Sequence, residues 1–105
     1  AESRREGLGQ AIGEYADVAV LTSDDPNFEE PKKIADEIEE GIQNEHVRVH
    51  FEVDRKKAIK DAIRNAGPKD AIILAGKGTD KYMTVNGENL PYEGDYHLAE
   101  AFIKD

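Results

Sequence analysis

The residues best suited to chemistry fall in two short segments, Thr22-Ser23-Asp24-Asp25-Pro26-Asn27-Phe28 and Gly76-Lys77-Gly78-Thr79-Asp80. Adjacent carboxylates repel one another, so Asp24 and Asp25 are costly to hold together unless a cation or solvent screens them. Pro26 stiffens the chain behind them, and the Asn27 amide supplies donors and an acceptor. The residues alone leave two uses open: a cradle for a cationic ligand, or a turn in which Asp and Asn satisfy backbone amides. In the second segment Gly76 and Gly78 let backbone approach a ligand or a neighbouring loop closely, and Asp80 adds a third carboxylate. It is not a phosphate loop. The pattern Gly-x-x-x-x-Gly-Lys-Ser/Thr needs glycine where Ala71 stands and a hydroxyl residue where Gly78 stands.

Arg4 and Arg5 form a small basic site upstream. Solvation is the default for such a pair, but the Arg5 guanidinium has the fork needed to grip a carboxylate through two bonds. His46, His50 and His97 have no metal-ligand spacing, Ser3 and Ser23 lack a nucleophile's signature, and cysteine is absent. The sequence therefore names no catalytic residue and no metal ligand.

These segments need elements that end at them. Leu8, Ala11, Ile12 and Tyr15 fall at helical spacing, although Gly7, Gly9 and Gly13 weaken that helix by propensity. Val18 to Leu21 is a short apolar run, predicted to be a buried strand. Pro31 sits where a helix can begin, and Ile34, Ile38 and Ile42 recur every four residues behind it. Val47, Val49 and Phe51 alternate with polar residues as in a second strand. Asp54 is placed to cap a helix carrying Ile59, Ala62, Ile63 and Ala66, which Gly67-Pro68 ends. Ala71 to Ala75 is predicted to be the most buried strand. Asn86-Gly87 predicts a hairpin between Tyr82–Val85 and Glu88–Leu90, and Asp95 is placed to cap a closing helix with Leu98, Phe102 and Ile103. The alternation predicts one α/β domain, Rossmann-like and three-layered, with a mostly parallel sheet and an antiparallel edge hairpin. In such folds ligands bind beyond the C-terminal ends of the strands, where both candidate segments lie.

A chain of 105 residues suffices for one domain with a modest core. Its formal charge of −9 is concentrated: residues 24 to 45 hold nine Asp or Glu against Lys32 and Lys33. That field repels phosphate backbones, so nucleic-acid binding is not expected, and most of it reads as a solvated helix face. No apolar run has membrane-spanning length, so no membrane insertion is expected. The missing cysteines fit a reducing cytoplasm.

Taken in order, Ser3-Arg4-Arg5, Gly7-Leu8-Gly9, Tyr15-Ala16-Asp17-Val18-Ala19-Val20, Asp24-Asp25-Pro26-Asn27-x-Glu29-Glu30-Pro31 and Ala75-Gly76-Lys77-Gly78 resemble successive landmarks of the C-terminal domain of Mur ligases of the MurE type. The similarity covers essentially the whole chain, residues 1–105. It implies part of a peptidoglycan-building ligase that joins a diamino acid to UDP-N-acetylmuramoyl-L-alanyl-D-glutamate through an acyl phosphate, using ATP and Mg²⁺. The resemblance also implies an upstream ATPase domain as partner, a cytoplasmic location, and an amino-acid site at Arg5, Asp24, Asp25, Pro26, Asn27, Gly76 and Asp80. It implies truncation at the N-terminus, where the family's domain starts with a glycine-rich strand. With no phosphate loop, this chain is expected to hold neither ATP nor Mg²⁺ and to be inactive alone.

Two departures bear on substrate. Diaminopimelate-adding members usually read Asp-Asn-Pro-Arg, the arginine gripping the ligand's second carboxylate. Here Asn27 replaces that arginine and Asp25 replaces the Asn. An acidic pocket without arginine suits the side-chain ammonium of L-lysine and lacks the partner a second carboxylate needs. Asp80 stands where the family more often has Glu. L-ornithine and meso-diaminopimelate are the alternative substrates. Outside the family, an acidic pair after a strand also suits a receiver-like phosphoacceptor module, with Asp54 as acceptor, and the acidic helix suits an interaction module for a basic partner.

Overall fold

The computed structural model describes residues 2–77 and 79–104, with Glu2 and Ser3 described by their backbone alone. Gly78, and the Ser3 side chain, thus lie outside the described residues. The element order is α1 Glu2–Tyr15, β1 Val18–Leu21, α2 Pro31–Gly41, β2 Arg48–Phe51, α3 Arg55–Asn65, β3 Tyr82–Val85, β4 Glu88–Pro91 and α4 Asp95–Lys104.

β1 and β2 pair in parallel, in register from Val18 opposite Arg48 to Leu21 opposite Phe51. Ala19 and Leu21 alternate inward from β1 and join Ala35, Val47, Ala58, Ile59 and Leu98 in the core. Helices pack in pairs, α1 with α2 and α3 with α4. The first pair explains why a weak helix former such as glycine sits in α1. A Cβ on Gly9 would stand 2.2 Å from the Ile38 carbonyl oxygen and 2.8 Å from Gly41 Cα, so the two helices touch backbone to backbone.

Local signals act where expected. Pro31 opens α2, and the Asp54 carboxylate accepts the Lys57 amide at 3.3 Å as N-cap of α3. Asn86 (φ 51°) and Gly87 (φ 81°) supply the two left-handed positions that a two-residue hairpin requires. The hairpin β3–β4 is present as a two-stranded antiparallel sheet of its own.

Ala71–Ala75 overturns its expectation. The segment forms no strand, and Ile72 is 41% and Ile73 88% exposed. Apolar composition alone does not make a strand; a neighbour's hydrogen bonds do, and among the described residues β1 pairs with β2 alone. Asp95 also differs from expectation. It is the first residue of α4, buried, with its carboxylate engaged by Arg55 rather than by the backbone of its own helix.

Candidate functional site

Beyond Leu21 the chain leaves β1 through Thr22 and Ser23 into the acidic pair. Asp25 (φ 47°) and Asn27 (φ 55°) both adopt the left-handed conformation, which Asp and Asn tolerate better than most residues. The hairpin holds them there. Asn27 donates its amide to the Thr84 carbonyl at 2.9 Å and accepts the Asn86 amide at 2.8 Å. Its side-chain Oδ1 accepts the Gly87 amide at 2.7 Å. Asp25 Oδ1 accepts the Thr84 amide at 2.9 Å.

The second loop reaches into the first. Lys77, whose side chain is fully buried, places Nζ 2.7 Å from Asp25 Oδ1 and 3.6 Å from Asp80 Oδ2. The same ammonium lies 4.8 Å from the centroid of the Tyr82 ring, close enough for cation–π attraction. Burial alone would push the Asp25 carboxyl up, but the Lys77 ammonium and the Thr84 amide outweigh it and hold it below the usual carboxylate range. The cluster sets one ammonium against two carboxylates and stays net negative.

Asp24 is the exception. It makes no hydrogen bond or ion pair among the described residues, and its carboxylate packs against Gly76. A Cβ there would lie 2.0 Å from Asp24 Oδ2, and Gly76 itself has φ +106°. Desolvation raises the Asp24 carboxyl above its usual range, opposed by attraction to Arg55 and reinforced by repulsion from Asp25.

Arg5 is engaged elsewhere. Its guanidinium takes Glu29 through two bonds, at 2.7 and 3.0 Å, and also bonds Glu37. The clamp ties α1 to the end of the acidic loop and to α2, and the Arg5 guanidinium holds the Glu29 carboxyl down at about 2. Of the sequence-derived residues, the structure brings together Asp24 with Gly76, and Asp25 with Asp80 through Lys77. Pro26 and Asn27 line a groove of about 520 Å³ with Arg55, Met83, Leu90 and Tyr92. Asp54, the acceptor of the receiver-like reading, serves as the N-cap of α3, its carboxylate taking the Lys57 amide.

Sequence reasoning missed Arg55, Tyr92, the pairing of Asp95 with Arg55, and the reach of Lys77. Arg55 donates Nε–H and Nη2–H to Asp95 at 2.9 and 2.7 Å, and the Tyr92 hydroxyl bonds the same carboxylate. No local pattern marks them, because the partners Arg55 and Asp95 are 40 residues apart.

With this geometry in place, likenesses to known proteins bear on family. The model of a family described as Mur ligase, glutamate ligase domain, matches residues 1–78. A UDP-N-acetylmuramyl-tripeptide synthetase of Lactobacillus acidophilus is 47% identical over 103 residues, covering 98% of this chain and 20% of that protein. A UDP-N-acetylmuramoyl-L-alanyl-D-glutamate--L-lysine ligase of Enterococcus faecalis is 51% identical over 102 residues, covering 96% of this chain and 20% of that protein. A solved structure of a UDP-N-acetylmuramoyl-L-alanyl-D-glutamate--2,6-diaminopimelate ligase superposes with a TM-score of 0.87 at 31% identity, covering 99% of this chain and 21% of that one. The likeness supports the Rossmann-like α/β class, and the chain spans about a fifth of the length of the curated relatives it matches.

Proposed function

We infer function from one premise: the chain belongs to the Mur ligase family, as a C-terminal domain of the MurE type. On that premise it is the amino-acid-selecting part of a longer cytoplasmic ligase that adds L-lysine to UDP-N-acetylmuramoyl-L-alanyl-D-glutamate in peptidoglycan synthesis. Relatives carry both lysine and diaminopimelate names, so the choice of substrate rests on the site.

The observation that carries the lysine reading is Asp24, a carboxylate without a partner among the described residues, pressed against Gly76 beside a net-negative cluster. Such a carboxylate gains most from an incoming ammonium. In this reading Asp24 takes the ammonium and Asp80 adds to the field. Gly76 admits the close approach, and Pro26 and Asn27 shape the wall. Asp25 acts indirectly, since Lys77 already occupies it. Asn27 leaves its position without a cation for a second carboxylate. Arg5 receives a ligand carboxylate only in exchange for Glu29 or Glu37.

Mur ligases depend on ATP, typically with Mg²⁺. The residues described here do not fit that pair. Lys77 is buried in an ion pair rather than free for phosphate, and no group of three or more His, Asp or Glu among the described residues could hold a metal. Nucleotide and metal are therefore assigned to the rest of the ligase, and the isolated chain is inactive; ATP-dependent lysine ligation by the 105-residue chain alone would overturn that assignment. The test of substrate is a competition assay on the intact ligase with L-lysine, L-ornithine and meso-diaminopimelate. Preferential incorporation of L-lysine is expected, and preference for meso-diaminopimelate would reverse the reading of Asn27.

A further inference from the structure

We propose that Arg55 is a positioning residue for the amino-acid pocket: its guanidinium sets the spacing between the two loops that form it. This deepens the proposed function and rests on it. Arg55 Nη1 donates to the Ser23 carbonyl at 3.1 Å, and Nη2 donates to the Ala75 carbonyl at 3.0 Å. Each carbonyl belongs to the residue immediately before a pocket residue, Asp24 in one loop and Gly76 in the other. Those two already touch, so a small change in loop spacing opens or closes the contact.

The guanidinium is itself immobilised. Asp95 takes Nε–H and Nη2–H in a fork, and the Tyr92 hydroxyl bonds Asp95 Oδ1. Both members of the ion pair have side chains only 6% exposed. Arg55 begins α3, Asp95 begins α4, and Tyr92 follows the hairpin, so three elements fix one planar group against two loops. A buried ion pair is weak evidence for stability, because apolar residues of similar volume commonly do as well. What apolar residues cannot do is hold two carbonyls at the fixed separation of a guanidinium's nitrogens.

The experiment uses the intact ligase carrying Arg55→Lys, which keeps the charge and loses the fork, and a second variant, Arg55→Met with Asp95→Leu, which removes both charges of the pair together. Melting temperature is measured for each, along with kcat and the KM of each substrate. The expected result is a KM for the diamino acid raised about tenfold, with saturating kcat and the KM values for ATP and the UDP-dipeptide little changed. That increase should persist in the double variant even as its melting temperature recovers. If KM returns to normal together with stability, or never rises in a folded variant, the proposal is overturned. The double variant decides the matter if Arg55→Lys does not fold. A wild-type ligase that accepts no diamino acid would instead sink the functional reading itself.

Discussion

Among the described residues, Arg5 and Arg55 each hold carboxylates, and their surroundings differ. Arg5 lies on α1 with its side chain 13% exposed, and its partners Glu29 and Glu37 are 35% and 29% exposed. Arg55 lies at the junction of α3, α4 and both loops, with a single carboxylate partner, two backbone carbonyls and almost no solvent. At the first site water can replace the arginine. At the second it cannot, so removing Arg55 strands a charge and two carbonyls together. The number of ion pairs around an arginine is thus a poor guide to its importance; what it would leave unsatisfied is a better one.

Arg55→Met should produce the largest effect, a loss of about 3–5 kcal/mol in urea unfolding, since Asp95 is left buried without its partner. A loss no greater than at Arg5 would erase the contrast. Gly76→Ala comes next. Its φ of +106° and the 2.0 Å approach to Asp24 impose strain on any side chain there, at a cost of about 1–3 kcal/mol. The same substitution should raise the KM for the diamino acid, because it pushes Asp24 aside. Arg5→Met should cost less than about 1 kcal/mol, and 1 M salt should shrink that difference, as expected of a solvent-accessible pair. Salt should leave the Arg55→Met effect nearly intact.

The smallest effect is a pH dependence. The folded Glu29 carboxyl is held at about 2, below its unfolded value. Its contribution is therefore complete above the ordinary glutamate range and fades as pH falls through that range toward about 2. Over this window the stability gap between wild type and Arg5→Met should narrow; a gap that widens would show that Arg5 acts through something other than its carboxylates.

Much of the scaffold could be read from the residues because its signals are local. Asp54, Pro31 and the Asn86-Gly87 pair act within a few positions of themselves, and each does so in the structure. The site was legible in part. Asp24, Gly76 and Asp80 could be placed at loop positions, but not the identity of what each touches. Asp25 meets Lys77 across 52 residues and Arg55 meets Asp95 across 40, and no periodicity encodes such pairs. Arg5 drew attention because it stands in a recognisable landmark, whereas Arg55 stands one place after a helix cap and outside those landmarks. Ala71–Ala75 failed for a different reason: hydrophobic composition reports what a segment would bury, not whether a partner strand is there to pair with it.

The acidic loop and the hairpin share a seam. Asn27 bridges to Val85, and through backbone and side chain it bonds Thr84, Asn86 and Gly87. If the acidic loop selects the substrate as proposed, the unit of exchange between relatives is accordingly not the four residues Asp24 to Asn27. A graft of those four onto a foreign hairpin would lose the contacts that keep Asp25 and Asn27 in their left-handed conformations. The travelling module is a split one, the loop plus a turn some sixty residues downstream, moved together.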